Sequence, residues 1–112
     1  MNVYICFCGG EWKAVLRIII ADDEKYICSL IRALVDWKAL DMEIVGEAFT
    51  GSAACNLIFQ ENPDIAILDI KMPGMDGLNI IHQAQAAGLK TRFLLVSGHK
   101  NFEYAHTALK YG

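Results

Sequence analysis

Short apolar runs alternate along this chain with stretches whose apolar residues recur at helical spacing. From Ala14 to Ala21 the run AVLRIIIA is nearly continuous and β-branched, the mark of a strand buried on both faces. A helix is predicted from about Glu24 to Asp36, with Tyr26, Ile27, Leu30, Ile31, Leu34 and Val35 on one stripe. MEIVGEA reads as a second strand. The segment SAACNLIFQEN reads as a second helix, with Ser52 as its cap and Pro63 as its stop. IAILD is a third strand, followed by the loop KMPGMDG, which Pro73, Gly74 and Gly77 punctuate. LNIIHQAQAA is a third helix closed by Gly88. TRFLLVS is a fourth strand, and a last helix is expected from about Asn101 to Tyr111, with Phe102, Ala105 and Leu109 inward.

Strand and helix in strict alternation mean a parallel sheet with helices on both faces, an α/β doubly wound fold. Residues 1–13, ending in the pair Gly9-Gly10 and then Glu11 to Lys13, fall outside this pattern and read as a loosely packed appendage. Residues 14–112 form one domain.

Composition narrows the function. Apolar residues make up 54% of the 112 and charged residues 21%, which suits one compact core. The net charge of -3, without a basic stripe, gives no bulk attraction to nucleic acid or to an anionic membrane. The longest apolar stretch, broken by Arg17, is too short to cross a bilayer, and the first residues make a poor secretory signal. Cys6 and Cys8 could offer two metal ligands, but no matching second pair follows. Cys28 and Cys55 lie among apolar residues, where a free thiol packs as a small hydrophobe, and a reducing cytoplasmic setting is the simpler expectation.

In an open parallel sheet, ligands bind beyond the carboxyl ends of the strands. The first strand ends in Asp22-Asp23-Glu24, the third in Asp69 and the fourth in Ser97-Gly98, while Ala48, Phe49 and Thr50 at the second offer less. Each acid alone could be an ordinary helix cap. Three carboxylates and a hydroxyl at one rim point instead to a divalent cation, and oxygen ligands of this kind suit magnesium. A strand-end aspartate beside the ion can act as a nucleophile toward phosphorus, so Asp69 is the candidate phospho-acceptor.

ADDE after the first strand, ILDIKMPGMDG around the third and LLVSGH at the fourth resemble the receiver domain of two-component response regulators. ALVDWKALDMEIVGEA and SGHKNFEYAHTALKYG are similar to the subgroup fused to AraC-type helix-turn-helix output domains. The resemblance covers residues 14 to 112 and implies a flavodoxin-like strand order, 2-1-3-4. It implies phosphorylation of Asp69 by a sensor histidine kinase, with Mg2+ held by Asp22, Asp23, Asp69 and the backbone carbonyl of Lys71. It implies that Ser97 contacts the phosphoryl group and switches, that Pro73 and Gly77 shape the loop, and that His99 tunes dephosphorylation. An exposed loop histidine is the plain alternative for His99.

The family continues into a fifth strand ending in Lys-Pro and a fifth helix, and this sequence stops at Tyr111-Gly112 before either. Lys100 and Lys110 lie in the wrong segment to replace that lysine. The resemblance therefore predicts a piece of a longer regulator that binds magnesium, accepts phosphate poorly and bares an edge at TRFLLVS for pairing, as in a homodimer. DNA would be bound only through an output domain outside this chain. Such a domain acts on itself and turns over no free substrate, so it is not expected to be an enzyme in the usual sense. Two alternatives stand beside it. One is a pseudo-receiver used only for protein contact. The other is a dehalogenase-type hydrolase, which wants an acid two residues after its nucleophile where this chain has Lys71.

Overall fold

The computed structural model describes residues 15–96. The N-terminal appendage, Ser97, His99 and the last expected helix lie outside the described residues. Seven elements alternate: β1 (Leu16–Ala21), α1 (Lys25–Leu34), β2 (Met42–Ala48), α2 (Gly51–Glu61), β3 (Ile65–Asp69), α3 (Gly77–Ala86) and β4 (Arg92–Val96). The four strands are all parallel, in the order β2-β1-β3-β4. The expected order is borne out.

The alternation of side chains along β1 divides the core. Leu16, Ile18 and Ile20 join Cys28 of α1 and Ile67 of β3 on one face. Ile19 and Ala21 join Ala54, Cys55 and Ile58 of α2, and Ile80 and Ile81 of α3, on the other. Right-handed crossovers demand this division, because the chain steps to one side of β1 after α1 and to the opposite side after α2 and α3. At the amino ends of the strands, Arg17 N–H donates to the Asp64 carboxylate at 2.8 Å and the Thr91 hydroxyl to the Pro63 carbonyl at 2.7 Å. That end of the sheet is tied shut, leaving the carboxyl ends to carry the site.

Two sequence expectations are corrected. The cap of α2 is Thr50, whose hydroxyl accepts the Ala53 N–H at 3.1 Å, and the helix begins one residue before Ser52. The predicted apolar stripe of α1 is wider than its contact with the sheet. Cys28 is buried with Ile31 packed beside it, whereas Tyr26, Leu30 and Leu34 are 66%, 46% and 72% exposed. The row 26-30-34 lies on the far side of the helix from Cys28, so apolar spacing alone overstated its burial. Elsewhere the ends move by one or two residues. Asn62, left-handed at φ 45°, closes α2 ahead of Pro63. Gly88 at φ 80° closes α3, with Gly88 N–H to Gln85 O and Leu89 N–H to Ala84 O, both 3.0 Å.

The exposure difference predicts a contrast in stability. Leu34→Gln is expected to change unfolding free energy by less than about 0.5 kcal/mol, whereas Ile80→Ala, in the core between α3 and the sheet, costs roughly 2–5 kcal/mol. Urea unfolding of both variants checks it; equal costs would mean that the outer face of α1 is covered in solution.

Candidate metal and phosphoryl-acceptor site

The register brings the acids together. Ala21 of β1 pairs with Leu68 of β3, so Asp22 and Asp69 stand side by side one step beyond that pair. Asp22 N–H still donates to the Ala48 carbonyl at 3.1 Å, which holds the first of them against the β2 end as well. Carboxylate oxygens of Asp22, Asp23 and Asp69 all lie within 4.8 Å of one another. Asp22 is buried, Asp69 half-buried and Asp23 exposed, so the cluster is a well whose mouth is Asp23.

Asp22 also performs the modest task of a helix start, since its Oδ1 accepts the Glu24 N–H at 2.9 Å. Capping alone does not account for the other two acids, whose charges make Asp22 harder to ionise. Burial pushes Asp22 up from the ordinary 3.8 to about 6; the Glu24 N–H opposes this, and the charges of Asp69 and Asp23 add to it. Burial likewise raises Asp69, with the Lys71 and Ile70 N–H groups opposing and Asp23 adding. Three oxygen donors in such repulsion fit a hard divalent cation, which removes the repulsion and takes one or two carboxylates with water completing its shell. Nitrogen and sulfur ligands are missing from the set: Cys28 and Cys55 are buried free thiols, both raised chiefly by burial.

The loop after β3 forms the floor and outer wall. Asp23, Lys71, Met72, Pro73, Gly74, Met75, Asp76 and Asn79 line an open cleft beside the acids. Asp76 starts α3, its carboxylate accepting the Asn79 N–H at 2.8 Å. Gly77 N–H donates to the Ile70 carbonyl at 2.7 Å, and a Cβ on Gly77 would stand 2.7 Å from the Asp69 carbonyl oxygen. Only glycine allows α3 to start this close to the end of β3. Pro73 lies on the cleft wall, and its carbonyl accepts the Gly51 N–H at 2.8 Å.

Of the residues expected at the site, Asp22, Asp23 and Asp69 are gathered, and Lys71, Pro73 and Gly77 line or close the adjoining loop. Ser97 and His99 follow Val96 and lie outside the described residues. Sequence reading passed over Gly51, which meets this loop from the first turn of α2; a glycine at the start of a helix was the available signal.

The comparisons agree with this geometry. The family model for the response regulator receiver domain matches residues 18–112. The transcriptional regulatory protein YesN of Bacillus subtilis is 40% identical over 96 residues, covering 86% of this chain and 26% of its own length. The transcriptional regulatory protein NarL of Mycobacterium tuberculosis is 37% identical over 98 residues, covering 87% of this chain and 44% of its own. The chain thus spans less than half the length of these curated relatives. Among solved structures, the REC domain of AraT, a response regulator from Geobacillus stearothermophilus, superposes with a TM-score of 0.80 at 34% identity, covering 88% of this chain and 76% of that one. A two component transcriptional regulator AraC from Clostridium phytofermentans gives 0.77 at 30% identity, covering 86% and 74%. With the strand order, the acidic well and a family match from β1 to the last residue in agreement, the chain belongs to the response regulator receiver domains of two-component systems.

Proposed function

We propose that this chain receives a phosphoryl group on Asp69 from the phosphohistidine of a sensor histidine kinase, with Mg2+ bound in the acidic well. The observation that carries the reading is the convergence of three carboxylates within 4.8 Å at the carboxyl edge of a parallel sheet. Asp22, Asp23, Asp69 and the Lys71 carbonyl are the residues that would hold the ion. When bound, the ion supplies positive charge against the oxygens of the transferring group. A carboxylate oxygen of Asp69 attacks phosphorus, the phosphorus–nitrogen bond breaks, and the imidazole leaves with the electron pair and takes up a proton. The N–H groups of Lys71 and Ile70 hold the Asp69 carboxylate for that attack.

Asp69 suits the nucleophile's part better than its neighbours do. Asp22 is only 7% exposed and committed to the Glu24 N–H, while Asp23 stands exposed at the mouth, placed to reach the ion. Ser97 as phosphoryl contact and His99 as modulator of dephosphorylation belong to the same proposal, on the family motif. So do a cytoplasmic location, homodimerisation and a transcriptional output through a DNA-binding domain outside this chain. Among the described residues no helix is long and apolar enough to cross a membrane. A module kept only for protein contact has no use for three mutually repelling acids, which disfavours the pseudo-receiver.

The test is labelling by a small phosphodonor, read by intact mass. Slow labelling, by at most one phosphoryl group per chain, is expected with Mg2+ and none with a chelator. Labelling that ignores the chelator would overturn the role given to the ion.

A further inference from the structure

We infer that the amino end of α2 is the abutment that fixes the loop after β3, and that Gly51 is a positioning residue for the cation site; this rests on the proposed function. The contact is unusually close. Gly51 N–H donates to the Pro73 carbonyl at 2.8 Å, and a Cβ on Gly51 would stand 1.7 Å from the Met75 carbonyl oxygen and 2.5 Å from its carbon. Real Cβ atoms essentially never approach closer than 3.0 Å, so any side chain here forces the two backbones more than 1 Å apart. At the next residue of the helix, Gly74 at φ 89° lies against Ser52, whose Oγ a Gly74 Cβ would meet at 2.5 Å. Two glycines from different elements are therefore interlocked at one junction.

The helix is the fixed side of that junction. Ala54, Cys55 and Ile58 of α2 are buried in the core, and the Thr50 cap holds its first turn. The loop, by contrast, is pinned mainly at its two ends, by the Gly77 N–H to the Ile70 carbonyl and by buried Met72. Pressure at Pro73 to Met75 is thus taken up in the loop, two to four residues from the Lys71 carbonyl. A magnesium ion demands near-ideal geometry at about 2.0–2.1 Å, so a displaced carbonyl ceases to be a ligand. Nothing at Gly51 itself touches the ion; its lack of a side chain sets where a ligand-bearing loop stands.

The experiment compares Gly51→Ala with Gly46→Ala in the 112-residue chain. Gly46 is a matched control on β2, where a Cβ would meet only the flexible end of Leu57 at 3.0 Å. Two readouts are taken: backbone amide resonances of residues 70–76 in the metal-free protein, and the dissociation constant for Mg2+ alone from titration. Gly51→Ala is expected to move the loop amides and to weaken Mg2+ roughly 10- to 100-fold, while Gly46→Ala moves neither. If Gly51→Ala yields no folded protein, Thr50→Ala, which only loosens the first turn of α2, is expected to move the same amides and weaken Mg2+ a few-fold. Unmoved loop amides, or moved amides with wild-type Mg2+ affinity, overturn the inference. Absence of Mg2+ binding by the wild-type chain would instead sink the proposed function, and the metal-free amides would still decide whether α2 positions the loop.

Discussion

Asp69→Asn is expected to reduce phosphodonor labelling to background, a loss of at least roughly 1000-fold, while leaving the fold intact. The amide has the shape of the carboxylate and still offers one oxygen to the N–H groups of Lys71 and Ile70 that face it. What it lacks is the charge and the nucleophilic lone pair that make the bond to phosphorus. The loss should therefore be chemical, with an unchanged urea midpoint or a slightly raised one, because an ionised group pushed up by burial and by Asp23 has been neutralised. Labelled wild-type protein should release phosphate at alkaline pH or with hydroxylamine, as an acyl phosphate does. Persistent labelling of Asp69→Asn, mapped by peptide mass to Asp22 or Asp23, would move the acceptor to another wall of the same well.

The legible and illegible parts of the molecule differ in physical kind. β1 and β3 could be read because a central parallel strand is apolar on both faces, and runs such as RIIIA and AILD have few other uses. The acids could be placed because the carboxyl edge is the open edge of any such sheet, so topology alone brings Asp22, Asp23 and Asp69 to one rim. Tertiary contact was out of reach. Tyr26, Leu30 and Leu34 carry the spacing of a buried stripe, yet where a helix rests on its sheet is decided by the sheet's own side chains, and Cys28 took the inner position. Ser52 and Thr50 are chemically alike as caps, and only the path out of β2 selects between them. Gly51 left no trace in any periodicity, since its role is to contribute no atoms where two backbones meet.

Magnesium should stabilise the chain strongly near neutral pH and hardly at all near pH 5, and Asp22 is the main reason. Its folded-state value is about 6, against 3.8 as the ordinary value expected when unfolded. Between those values the folded protein binds the proton and the unfolded one does not, so metal-free stability falls as pH rises through this window and stays low above it. Partial access of water at the rim reduces the cost, leaving on the order of 1–2 kcal/mol. Asp69, raised in the same direction, adds to the slope. Below about pH 5 Asp22 carries its proton, the repulsion is relieved and a cation has less to attract it. Above pH 7 bound Mg2+ is stabilised by charges that otherwise oppose folding. Asp22→Asn separates these effects, because the amide oxygen can keep the Glu24 N–H while the charge is gone. In chelator, the variant should be more stable than wild type at about pH 7.5 and equal to it below about pH 4, with the gap opening between about pH 4 and 6. In saturating Mg2+ its advantage should shrink or reverse. Thermal midpoints for both proteins, with chelator and with Mg2+ across that range, measure all four profiles. A variant no more stable than metal-free wild type at about pH 7.5 would show the Asp22 carboxylate content to be ionised, and the well would then hold no repulsion in need of a cation.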